Sequence, residues 1–263
     1  MRKTALILLL LFALSKAEDE YKPIPFSATF DGIFLNSGKT FIYNYGLNSA
    51  LMVTGTYFLV QADIDWKARQ FAYNNQPVVY ASMPAVMSGA IVPVILPLSL
   101  YGTGRSQQDL KRQTAGVAVM QSVIISTTLT TGIKAFTSRR SPELMRNERN
   151  DTKEDFSRDF KFGFLERIPF DGWPSGHTSA AWATAATLTE FYPQNTWLAV
   201  GLYSYAVYMA LGVSMSIHWL SDGWAGAFFG YAIGKTVAQH FTKKESKYSF
   251  IVLPDRFMFV RSF

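Results

Sequence analysis

Four runs without an acidic or basic side chain constrain this chain more than any motif does: residues 40–62, 70–104, 113–133 and 191–217 contain no Asp, Glu, Lys or Arg. As helices rising 1.5 Å per residue, each is long enough to cross a hydrocarbon core of about 30 Å. Such segments have two homes, lipid or the interior of a soluble helical domain, and length favours lipid. Pro77, Pro84, Pro93 and Pro97 lie in the second run; a membrane bundle tolerates them because its neighbours satisfy the freed carbonyls. Shorter apolar runs at 172–189 and 223–234 are rich in Ala, Gly, Ser and Thr, which let helices approach closely. The sequence therefore predicts an all-α fold, a compact bundle of about six mostly transmembrane helices. Residues 40–62 hold Asn44, Gly46 and Asn48 and are expected not to cross as an ordinary span.

The flanks carry other signals. Residues 1–17 have a basic start, an apolar stretch and Ser-Lys-Ala before acids, the pattern of a secretory signal peptide. Residues 18–39 read as an N-terminal segment, 40–241 as one helical domain and 242–263 as a tail. In that tail two β-prone runs flank Pro254-Asp255, which fits a short hairpin. The net charge of +6 is not gathered into a stripe interleaved with aromatics, so the reading includes no nucleic-acid partner. Membrane headgroups or anionic substrates account for it better.

Chemistry concentrates at three places. Pro174-Ser175-Gly176-His177 opens an alanine-rich run; Ser175 and Gly176 can present backbone N–H groups where a helix dipole favours an anion, and His177 can bring a proton. His218 precedes Asp222 by four residues, so on a helix the carboxylate can hold one ring nitrogen and leave the other free as nucleophile or base. Lys134, Arg139 and Arg140 close the run that begins at Gln113, a cationic clamp for a phosphoryl group whose charge grows in the transition state. Each feature alone has a structural explanation: a helix start, a self-satisfied pair, a membrane-interface flank. Together they favour phosphoryl chemistry. Two histidines without a third ligand make a poor zinc site, and neither metal nor cofactor is expected.

The ordered set resembles the type 2 phosphatidic acid phosphatase and vanadium-haloperoxidase superfamily over roughly residues 40–240. Pro174-Ser175-Gly176-His177 completes one family motif, His218 and Asp222 keep the spacing of another, and Lys134 and Pro142 remain from the first. The resemblance implies that His218 attacks phosphorus, Asp222 orients it and His177 protonates the leaving oxygen. Lys134, with the backbone of Ser175 and Gly176, would hold the phosphoryl oxygens. It further implies a multi-pass protein of the cell (inner) membrane with its pocket facing the periplasm or exterior, acting on a phospholipid or polyprenyl phosphate. Two arginines of the pattern are replaced, by Ser141 and Gly212, and Arg139 or Arg140 is expected to stand in. Two other readings stay open: a membrane protein that keeps the fold without turnover, and a vanadate-binding haloperoxidase-like protein.

Overall fold

The computed structural model describes residues 21–42, 46–142, 154–167, 172–242, 248–253 and 256–261. The predicted signal peptide lies outside them. After a short 3₁₀ turn, Phe26–Phe30, eight helices follow among the described residues: α1 Ile33–Ile42, α2 Gly46–Gln61, α3 Ile64–Asn74, α4 Gln76–Ser106, α5 Leu110–Thr137, α6 Gly176–Phe191, α7 Thr196–Ser214 and α8 Leu220–Thr242. The expected hairpin follows them. Strands β1, Tyr248–Leu253, and β2, Arg256–Arg261, pair antiparallel from Tyr248↔Arg261 to Leu253↔Arg256.

Among the described residues three helices, α4, α5 and α7, are long and apolar enough to cross a membrane. They divide by position. The outer helices α4 and α7 leave Ile91, Val94, Ile95, Leu98, Val200, Val207 and Leu211 exposed, a surface suited to lipid. Helix α5 is buried along one side by polar partners: Ser122 Oγ lies 2.8 Å from Thr187 Oγ1, and Ser126 donates to Ser179 at 2.8 Å. Such side-chain bonds between small residues hold helices together where hydrophobicity offers no drive. The run expected from residue 70 is split at Asn75, because Pro77 starts a new helix in its first turn.

Helices α6 and α8 form the tightest pair. Gly226, Gly230 and Gly234 recur every four residues, and a Cβ on any of them would strike the carbonyl of Ser175, Ser179 or Ala183. The stripe exists because these two backbones touch.

Of residues 40–62, Gly46–Gln61 form α2, and the N-terminal region follows the full length of α8. Gly32 abuts the ring of His240; the tilted rings of Phe41 and Phe229 meet at 5.2 Å; Asn48 donates to the Phe228 carbonyl at 3.3 Å. Further along, Trp224 donates to the Leu51 carbonyl at 2.9 Å and Thr56 Oγ1 to that of Ser221 at 3.5 Å. Helices α1 and α2 thus share one antiparallel traverse of α8. Tyr21, bonded by Gln113 at 2.6 Å, consequently lies about 30 Å along α5 from Lys134.

Candidate active site

The C-terminus of α5, the N-terminus of α6 and the loop before α8 meet at one end of the bundle. Two stretches fasten them there. Gly163 and Leu165 donate to the carbonyls of Phe136 and Ala135 at 3.0 and 2.7 Å, covering acceptors left open at the end of α5. Gly172 takes a positive φ of 84° and lies so close to the Arg139 carbonyl that a Cβ would overlap it, so glycine is required. Ser175 N–H donates to the Asp222 carbonyl at 3.0 Å, tying the start of α6 to that of α8.

A cavity of about 820 Å³ opens there. Lys134, Arg140, Ser141, Gly176, His177 and His218 line its polar end, while Gly89, Pro93 and Val94 of α4 and Val123 and Thr127 of α5 line its apolar flank. Lys134 stands in the last turn of α5, where the helix dipole favours a cation. The N–H groups of Gly176 and His177 belong to the first turn of α6, which has no intrahelical acceptors for them.

His218 is held from behind. Its Nδ1 lies 3.2 Å from Asp222 Oδ2, which also accepts from Trp219 N–H at 3.0 Å. Nδ1 is therefore engaged and Nε2 remains. Burial pushes the imidazole below its ordinary pKa, opposed by the hydrogen bond to Asp222, which favours the neutral ring with its one proton on Nδ1.

Of the eight candidate residues, Lys134, Arg140, Gly176, His177 and His218 line the cavity, with Asp222 behind His218. Two differ from expectation. The Ser175 N–H is already given to Asp222, and its Oγ caps α6 through Thr178 N–H at 3.4 Å. Arg139, expected among the phosphate cations, is wholly buried away from the cavity. It donates to Asp222 Oδ1, to Asp65 Oδ2 at 2.7 Å, to Ser221 Oγ at 2.8 Å and to the Ser157 carbonyl. The chain leaving α5 thus turns Arg139 inward and Arg140 toward the cavity. Arg140 spreads over the Phe156 ring, 3.4 Å from its centroid, and its carbonyl accepts from Trp219 Nε1 at 2.7 Å.

Gly212 offers no room for the missing arginine, since a Cβ there would meet Ala85 Cβ at 2.5 Å. Sequence reasoning missed Asp65, Gly89 and Ser221. Nothing in their spacing marks them, because each reaches the site only through helix packing.

No curated protein and no solved structure matches this chain. The family described as the PAP2 superfamily matches residues 115–246, which run from inside α5 to just beyond α8 and include Lys134, His177, His218 and Asp222; the chain belongs to that superfamily.

Proposed function

We propose that this protein is a phosphatase that hydrolyses the phosphate monoester or pyrophosphate of a membrane lipid through a phosphohistidine. The observation that carries the reading is the convergence of His177, His218, Lys134 and Arg140 on one cavity, with the second nitrogen of His218 on Asp222. His218 Nε2 would attack phosphorus as the P–O bond to the lipid breaks, and the departing oxygen would take a proton from His177. An arriving phosphate anion beside His177 favours its protonated form. Water then attacks phosphorus while giving a proton back to His177, the P–N bond breaks and inorganic phosphate leaves. Lys134, Arg140 and the first N–H groups of α6 would stabilise charge on the phosphoryl oxygens. The scheme uses no metal.

A lipid substrate is supported by the cavity's shape. Its lining descends α5 from Lys134 to Val123, about 16 Å at the helical rise, beside apolar residues of α4. A headgroup can sit at the histidines while a tail lies between these helices. Phospholipids and polyprenyl phosphates both have this form.

Release of phosphate from a panel of such lipids by purified protein, with His218→Ala and His177→Ala as controls, tests the reading. Turnover lost at least a hundredfold in both variants is expected. The second reading, a fold kept without turnover, draws on Ser141 and Gly212, where the family resemblance calls for arginines. It gains if wild-type protein releases no phosphate from any lipid offered.

A further inference from the structure

The guanidinium of Arg139 is shared between two carboxylates, and all three groups are buried. One carboxylate is Asp222, the partner of His218. The other is Asp65, in the first turn of α3 and outside the family-matched stretch. Asp65 also accepts from Ser221 N–H at 2.8 Å and from Ser221 Oγ at 2.5 Å. It therefore grips both Arg139 and the residue next to Asp222.

The charges decide what this arrangement does. Asp65, Arg139 and Asp222 together carry one net negative charge, which a cationic His218 neutralises. His218 becomes cationic when Nε2 bonds to phosphorus while Nδ1 keeps its proton. Without Asp65, Arg139 would compensate Asp222 fully, and a charged imidazole beside them would leave an uncompensated positive charge in a buried place, which is costly.

We propose that Asp65 is a positioning residue for the hydrolysis, neutralising Arg139 so that the negative charge of Asp222 remains available to His218. This rests on the reading of His218 as nucleophile. The other charged or titratable groups facing His218 are Lys134 and His177, with Arg140 on the same cavity; all are unchanged in the variants below.

The test uses full-length protein in detergent, with the His218 imidazole titrated by nitrogen NMR and kcat and KM measured against pH. Asp65→Asn should lower kcat about ten- to a hundredfold with KM little changed, as for loss of a contact that matters mainly in the transition state. The imidazole should titrate at lower pH in Asp65→Asn and at higher pH in Arg139→Gln. A scaffold residue would not move it in opposite directions. The pair Asp65→Asn/Arg139→Gln removes both charges together, should titrate above Asp65→Asn, and keeps the test open if that single variant does not fold. An unmoved titration, or unchanged kcat in folded Asp65→Asn, overturns the proposal. Wild-type protein that releases no phosphate overturns the reading of function instead, while the titrations still judge the charge relationship.

Discussion

The imidazole of His177 rests on the backbone of Gly89: a methyl group on that α-carbon would overlap the ring at Cδ2 and press on Met209 Sδ. Helix α4 thus determines where the ring of α6 can lie. Gly89→Ala should lower turnover by tenfold or more, since displacement of a reacting group by about 1 Å can cost a hundredfold. Overpacking should remove about 1–3 kcal/mol of stability. Gly102→Ala, on the same helix with open space around it, is the control. Equal activity in both variants would show that His177 does not depend on this contact.

Arg139 and Arg140 are neighbours with opposite surroundings, and their variants should fail differently. Arg140→Ala should fold normally and lose roughly a hundredfold in kcat, as for one lost transition-state contact. Arg139→Ala leaves Asp65 and Asp222 buried without their shared cation. Breaking a buried pair in this way typically costs about 3–5 kcal/mol, so the variant should melt early. Thermal melts and kinetics on both proteins check this; a stable, inactive Arg139→Ala together with an active Arg140→Ala would reverse the assignment.

The contact between α6 and α8 should be intolerant of side chains. Gly230→Leu places a large group against the Ser179 carbonyl, whereas Gly201→Leu points into open space. The first should fail to accumulate as folded protein and the second should behave as wild type. Yield and melting temperature after detergent extraction measure the difference. Normal folding of Gly230→Leu would mean that these helices can separate.

Because α1 and α2 share one traverse of α8, the two ends of the bundle should lie on opposite faces of the membrane. Lys161 marks the end with the cavity and Gln194 the other, and both are exposed. In a protein without cysteine, Lys161→Cys and Gln194→Cys should react with an impermeant thiol reagent from opposite sides. Labelling of both from one side would dismiss the traverse. The traverse also makes an exported N-terminus and an outward-facing cavity alternatives: the two expectations cannot both hold, and the side on which Lys161→Cys reacts selects between them.

Much of this was legible in the order of residues. The charge-free runs are one-dimensional signals, and they became α2, α7 and most of α4 and α5 because a segment without charge has few places to go. The pairing of His218 with Asp222 follows from a spacing of four near the start of α8, and the cap at Ser175 from chemistry confined to one turn. Tertiary structure alone decided the rest. Whether Arg139 or Arg140 meets the cavity depends on how the chain leaving α5 packs against α8, and two adjacent arginines look alike in sequence. Asp65 lies 157 residues from Asp222, and only packing of α3 beneath the start of α8 makes them partners through one guanidinium. Gly212 could be read as a missing arginine, but that Ala85 occupies its space is a fact about two helices. Local chemistry is written in neighbouring residues, whereas the direction a side chain takes is set by the surfaces that enclose it.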